Sequence, residues 1–138
     1  MESTNNTTPV FSILLVEDEA PTLELLATIL PKKYPGALLH TAHDGRKGLD
    51  LFKTHTPDIV ITDFNMPEMC GAQMVDKIRA IKPDTKIIVI TGKSEKPLQQ
   101  NFTQEGVVFD HFIAKPVVFQ ELFTAIDQCL GDLNDIFN

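Results

Sequence analysis

The sequence has little cysteine and no long apolar run. Its two cysteines, Cys70 and Cys129, are too few for a disulfide-stapled secreted domain, and neither lies in a Cys-x-x-Cys pattern or a Cys/His cluster that would bind zinc. Two free thiols are typical of a reducing compartment, so we predict a cytoplasmic location. Wholly apolar stretches such as Ile87–Ile90 are too short to cross a membrane.

Positive charge is also scarce. Lys and Arg number 12 against 19 Asp and Glu, so the net charge is −7, which disfavours direct binding of nucleic acid. A length of 138 residues and a hydrophobic content of 43% are typical of one globular domain. The N-terminus lacks the basic and apolar regions of a signal peptide, and we interpret residues 1–10 as a disordered lead-in. We assign residues 11–131 to the domain and residues 132–138 to a tail or the start of a linker helix.

Two hydrophobic periodicities alternate along the rest of the chain. Short β-rich runs predict five strands, at Ser12–Val16, Ala37–Ala42, Asp58–Thr62, Lys86–Thr91 and His111–Ala114. Amphipathic stretches predict five helices, at Pro21–Leu30, Gly45–Thr54, Gly71–Ile81, Pro97–Glu105 and Val117–Leu130. Asp44, Ser94 and Pro21 are suited to helix starts, and Pro31, Pro57 and Pro83 to helix ends. The repeated βα pattern predicts an α/β fold, a doubly wound parallel sheet with helices on both faces.

Acidic residues stand where two predicted strands end. Glu17 and Asp18 follow the first strand, and Asp63 follows the third. Ligands of open α/β sheets bind beyond the carboxyl ends of the strands, so these carboxylates are expected to converge and to bind Mg²⁺. Thr91 and Lys115 end the fourth and fifth strands and add a hydroxyl and an ammonium to the same rim. This combination points to phosphoryl chemistry, with Asp63 as the nucleophile, although strand-end acids also merely cap turns in many proteins.

These residues resemble the receiver domains of two-component response regulators. The resemblance covers roughly Phe11 to Leu130 and rests on four motifs in order: Leu15-Val16-Glu17-Asp18-Glu19, Asp63 to Gly71, Thr91-Gly92 and Lys115-Pro116. It implies the flavodoxin-like strand order 2-1-3-4-5, for which this family is a standard example.

The resemblance also implies individual roles. Asp63 is then the phosphoacceptor, Asp18 a direct ligand of Mg²⁺, and Glu17 an acid that reaches the metal through water. Asn65 stands where the family offers a backbone carbonyl to the metal. Lys115 is the lysine that contacts the phosphoryl group, and the Lys115–Pro116 bond is expected to be cis.

The switch residues implied by the resemblance are Thr91 and Phe112. Phe112 stands where the family has a rotating aromatic residue, and it lacks the hydroxyl of a tyrosine. The segment Gly106–Phe112 is about two residues longer than the family's usual turn. The predicted helix Pro97–Glu105 has only two apolar anchors, Leu98 and Phe102, which suits a segment that shifts on phosphorylation or is simply marginal in stability.

The first predicted helix carries more apolar residues than a sheet requires. One stripe suits the core: Leu23, Leu26, Ala27 and Leu30. Leu25 and Ile29 form a second stripe, with Pro21 and Thr22 near its start. This second stripe is either buried under a neighbouring helix or exposed for docking. The resemblance favours docking of a histidine kinase or a histidine phosphotransfer protein.

The predicted function is therefore a phosphorylation-activated switch. Asp63 accepts a phosphoryl group from a histidine kinase with Mg²⁺ bound, and the face formed by the last two helices and the last strand then repacks, for a downstream effector or a second copy. The domain turns over no external substrate, so we do not class it as an enzyme. Two alternatives belong to other functional classes. A phosphatase of the haloacid-dehalogenase type has an Asp-x-Asp motif after its first strand, whereas the candidate nucleophile Asp63 follows the third. A flavodoxin-like FMN binder needs a hydroxyl- and glycine-rich phosphate loop after its first strand, where this chain has Glu17-Asp18-Glu19.

The C-terminal residues repeat apolar positions at +4, +3, +4 and +3: Leu122, Ile126, Cys129, Leu133 and Ile136. This seam runs past Gly131, which is also a natural C-cap. Either the helix ends near Leu130 with a frayed tail, or it extends or packs on a partner.

Overall fold

The centre of the fold is a five-stranded parallel sheet. The computed structural model describes residues 11–64, 66, 69–92 and 109–137. The strand order is β2-β1-β3-β4-β5, which confirms the predicted fold class and order. The strands are β1 (Phe11–Val16), β2 (Ala37–Ala42), β3 (Ile59–Asp63), β4 (Lys86–Thr91) and β5 (His111–Ala114). The third strand is shifted by one residue from its prediction, so that Asp63 ends it.

Four helices are described, and they pack on both faces of the sheet. They are α1 (Ala20–Lys33), α2 (Gly45–His55), α3 (Gly71–Ile81) and α4 (Phe119–Phe137). The predicted helix Pro97–Glu105 and its start at Ser94 lie outside the described residues. Across the described ranges, no helix combines the length and apolar character needed to span a bilayer.

Local sequence explains most helix ends. The Asp44 side chain accepts a hydrogen bond of 2.7 Å from the Lys47 amide and so caps α2. The α2 helix ends at His55, and its C-cap residue Thr56 has φ of 41° and precedes Pro57. Pro31 is the exception, because α1 continues through it to Lys33 and the prediction that Pro31 ends the helix is wrong. Proline removes only its own amide donor, and the last turn still closes because the Tyr34 amide donates to the Leu30 carbonyl.

The sheet separates two apolar cores. Alternate residues of β1 point to opposite faces, so Ile13 and Leu15 pack with α1 and α4, while Leu14 and Val16 pack with α2 and α3. The strands β1, β3 and β4 are buried on both faces, as the consecutive apolar runs predict.

Charged contacts fix the end of the sheet where the strands begin. Asp110 accepts a 2.7 Å hydrogen bond from the Ile87 amide and pairs with Arg79 at 3.3 Å. Lys86 lies 3.9 Å from Asp110 and 3.7 Å from Asp132 of α4. The late turns of α4 therefore lie beside the first residue of β4.

The α4 helix continues past Gly131 to Phe137. Leu122, Ile126 and Cys129 of the heptad-like seam are fully buried, and Leu133 packs against the same core. Up to Leu133, the apolar seam is thus used to cover the sheet.

Candidate functional site

Three carboxylates meet at the carboxyl ends of β1 and β3. Because β1 and β3 are neighbours in the sheet, Glu17 and Asp18 lie beside Asp63, and one oxygen of each is within 4.8 Å of the others. Glu17 and Asp63 are buried, at 0% and 3% exposure, whereas Asp18 is exposed. The convergence predicted from the sequence is present.

Glu17 is held by one oxygen only. Its Oε2 atom accepts a hydrogen bond of 3.1 Å from the Glu19 amide, while its buried Oε1 atom has no hydrogen-bond partner among the described residues. The pKa of Glu17 is raised to about 7, mainly by burial and also by the charge of Asp63, although the Glu19 amide and the Lys115 charge act to lower it. A buried, unpartnered carboxylate oxygen beside two more acids fits a bound divalent cation.

Lys115 balances part of this negative charge. Its ammonium donates a hydrogen bond of 2.9 Å to Asp63 Oδ2 and lies 3.6 Å from Glu17 and 3.5 Å from Glu19. Burial alone would lower the pKa of Lys115, but the hydrogen bond to Asp63 and the three acidic charges together raise it above its ordinary value. Burial raises the pKa of Asp63, while Lys115 opposes that rise. The Lys115–Pro116 bond is cis, as expected.

Thr91 completes the rim at the end of β4. It is buried, and its hydroxyl donates to the Gly92 carbonyl at 3.3 Å. The Lys115 amide donates to the Thr91 carbonyl at 2.9 Å, which ties the two strand ends together. Phe112 is half-buried and lies edge-to-face with Phe109, with ring centroids 4.0 Å apart. Asn65 lies outside the described residues.

Gly71 holds α3 close to the site. A Cβ atom at this position would lie 2.8 Å from the Asp63 carbonyl oxygen and 3.0 Å from Phe64 Cα. The Gly71 amide donates to the Phe64 carbonyl at 2.8 Å. Glycine therefore allows the helix to start directly against the backbone of the candidate nucleophile.

An apolar groove opens beside Lys115. It has a volume of about 490 Å³ between α1 and the segment that joins β5 to α4. Thr22 and Leu25 line it from α1, and Leu25 is 50% exposed. Pro21 is also exposed, but Ile29 is half-buried and packs against the core. The second apolar stripe is therefore exposed at Leu25, as docking requires, and partly buried at Ile29.

Sequence reasoning did not assign roles to Glu19 or Phe119. Glu19 contacts Lys115, and Phe119, at 37% exposure, lines the groove opposite Leu25. The sequence does show a third consecutive acid after β1 and an apolar residue soon after Lys115-Pro116. Their roles could not be predicted, because they depend on contacts between segments far apart in the chain.

Comparison with known proteins gives a consistent picture. The family described as response regulator receiver domain matches residues 13–127. The transcriptional regulatory protein GlrR of Escherichia coli is 35% identical over 118 residues, which cover 86% of this chain and 26% of the relative. The uncharacterized transcriptional regulatory protein YesN of Bacillus subtilis is 30% identical and is matched over 33% of its length. The chain thus spans a third or less of these two relatives.

Solved structures agree with this assignment. A response regulator receiver domain protein from Clostridium thermocellum has a TM-score of 0.83 and 27% identity, covering 92% of this chain and 99% of that one. The receiver domain of AraT, a response regulator from Geobacillus stearothermophilus, has a TM-score of 0.85 and 25% identity, covering 94% and 100% of the two chains. With the family matched over most of its length, the chain belongs to the response regulator receiver domains of two-component signalling systems.

Proposed function

We propose that Asp63 accepts a phosphoryl group while Mg²⁺ is held at the acidic rim. The observation that carries this proposal is the approach of Glu17, Asp18 and Asp63 within 4.8 Å, with Lys115 Nζ 2.9 Å from Asp63. Three acids and one lysine leave excess negative charge in a largely buried place. A divalent cation would neutralise it.

The residues present fit Mg²⁺. Hard carboxylate oxygens are its usual protein ligands, and the unpartnered Oε1 of Glu17 lies at the same place. Asp18 and Asp63 would hold the ion directly, and Glu17 would reach it through water. When bound, Mg²⁺ supplies positive charge that neutralises phosphoryl oxygens.

Asp63 is the proposed nucleophile, and two residues assist it. Lys115 donates a hydrogen bond to Asp63 in the present structure, and its ammonium would donate to the added phosphoryl oxygens after transfer. The Thr91 hydroxyl, now directed to the Gly92 carbonyl, would turn to donate to a phosphoryl oxygen. Phe112 on the adjoining strand would move with Thr91 and so alter the face formed by β5 and α4.

The proposed phosphodonor is a histidine kinase or a histidine phosphotransfer protein. The groove beside Lys115 offers exposed apolar contacts from Leu25 and Phe119 next to the site. An apolar surface at that place suits a helical partner that presents a phosphorylated histidine to Asp63.

Phosphorylation tests the proposal directly. Incubation with Mg²⁺ and acetyl phosphate should add one acid-stable, base-labile phosphoryl group, measured by intact mass. Asp63→Asn keeps the shape and removes the nucleophile, so it should not be labelled. Asp76→Asn, on the exposed face of α3, makes the same change away from the site and should be labelled like the wild type. Labelling of Asp63→Asn at the wild-type rate would overturn the proposal.

A further inference from the structure

Glu19 contacts Lys115 from an unusual position. It is the N-cap residue of α1, where a short polar side chain normally accepts a hydrogen bond from the first helical turn. The Glu19 side chain makes no capping hydrogen bond. Its Oε1 atom instead lies 3.5 Å from Lys115 Nζ and 3.5 Å from the Thr22 hydroxyl. The side chain is therefore directed to the lysine of the site.

Three carboxylates share the Lys115 ammonium, but they differ in exposure. Asp63 and Glu17 have side chains that are 4% and 0% exposed, whereas the Glu19 side chain is 60% exposed. Of these three acids, Glu19 is the one that a small molecule arriving from solvent meets first.

We propose that Glu19 is a positioning residue that holds part of the charge of Lys115 and slows phosphoryl transfer from small anionic donors. This inference rests on the proposed function. In the reaction with acetyl phosphate, a carboxylate oxygen of Asp63 forms a bond to phosphorus while the bond from phosphorus to the acetate oxygen breaks. Acetate leaves with that electron pair, and no proton is transferred. Lys115 must neutralise the oxygens of the incoming phosphoryl group during this step.

Removing the Glu19 charge should raise the rate of phosphorylation in two ways. It frees a donor of Lys115 for the phosphoryl group, and it reduces the repulsion of an incoming anion. One unit charge about 5 Å away in a mostly aqueous environment changes the rate with a small anionic donor by roughly three- to tenfold. Glu19→Gln should therefore be phosphorylated faster than the wild type.

The decisive experiment compares Glu19→Gln with Glu24→Gln. Glu24 is an exposed acid of the same helix, so its substitution makes an identical charge change away from Lys115. The initial rate with acetyl phosphate and Mg²⁺ should rise in Glu19→Gln and change little in Glu24→Gln. Because screening weakens exposed charges, the difference should shrink at high salt.

Glu19→Asp separates contact from charge. It keeps the negative charge but shortens the side chain by one methylene, so it should loosen the Lys115 contact. In ¹H–¹⁵N spectra, the ammonium protons of Lys115 should exchange with water faster in Glu19→Gln and Glu19→Asp than in the wild type or Glu24→Gln. A merely structural role at the helix start would not change this signal.

The outcomes distinguish the two proposals. A wild-type chain that takes no phosphoryl group would overturn the proposed function. A reactive wild type, with equal rates in Glu19→Gln and Glu24→Gln and an unchanged Lys115 signal, would overturn the inference about Glu19 alone.

Discussion

Glu17, a proposed contact of the metal through water, is buried and accepts a single backbone hydrogen bond. Its Oε2 atom accepts from the Glu19 amide and lies 3.6 Å from Lys115 Nζ, while its buried Oε1 atom has no hydrogen-bond partner among the described residues. Asp18 is exposed, so its carboxylate is open to solvent. The two neighbouring acids therefore have different capacities as ligands.

Mg²⁺ titrations should reveal this difference. Asp18→Asn removes a proposed direct ligand and should weaken binding by about tenfold or more, whereas Glu17→Gln, which removes a contact through water, should weaken it less. Calorimetry or NMR titration would measure both affinities, with Asp76→Asn as the control. Equal losses in the two site variants would contradict the assigned roles.

Two stacked histidines outside the site should make the stability of the fold depend on pH. His40 of β2 and His55 at the end of α2 stack with ring centroids 4.0 Å apart and planes 14° apart. Burial, and then the charge of His55, lower the pKa of His40 below its ordinary 6.5. The unfolded chain binds the proton more readily, so this contribution to stability is lost as the pH falls below 6.5.

Urea unfolding at pH 7.5 and 5.5 measures this effect. His40→Gln should lose less stability than the wild type between these two conditions, because it lacks the protonation that the fold disfavours. Leu38→Gln, which places a glutamine at an exposed position of β2 and removes no titratable group, should retain the wild-type dependence. Parallel pH profiles for the wild type and His40→Gln would contradict the argument.

At the scale of the element, two glycines have opposite environments. A Cβ atom at Gly71 would lie within 3.0 Å of backbone atoms of Asp63 and Phe64, whereas nothing lies within 4 Å of a Cβ atom at Gly131. The first position requires glycine for the close approach of α3. The second lies inside α4, where glycine only adds freedom to the unfolded chain.

Alanine substitutions at the two glycines should therefore change the free energy of unfolding in opposite directions. Gly71→Ala should lower the free energy of unfolding by about 1–3 kcal/mol, through overpacking against the backbone. Gly131→Ala should raise it by about 0.5–1 kcal/mol, since alanine favours a helix interior. Urea unfolding measures both changes. Destabilisation by Gly131→Ala would show that the helix ends there with glycine as its C-cap.

The sequence predicted the elements better than their ends. Consecutive apolar residues identified the strands because the inner strands are buried on both faces, and Asp44 identified the start of α2. Pro31 misled because a proline in the last turn removes a single hydrogen bond. Ile29 and Glu19 could not be placed from periodicity alone, since one depends on the depth of packing and the other on a contact with Lys115 that spans 96 residues.

At the scale of the molecule, the end of α4 contributes to the domain. Leu133 packs against the core and Asp132 lies 3.7 Å from Lys86. A chain that stops at Leu130 loses both contacts, so its thermal midpoint should be lower than that of the full chain. Differential scanning fluorimetry would measure this, and light scattering would show whether either chain associates. Two monomers of identical stability would leave residues 131–138 without a structural role.

The parallel strands also determine how a signal must travel. Asp63 and Lys115 lie where strands end, while Phe11 begins β1 and the late turns of α4 lie beside the beginning of β4. A six-residue strand is about 20 Å long. A module joined after α4 would therefore be attached about one strand length from Asp63, the proposed phosphoacceptor. Such a module would respond to a change in the tilt or packing of α4, and it would not contact the phosphoryl group directly.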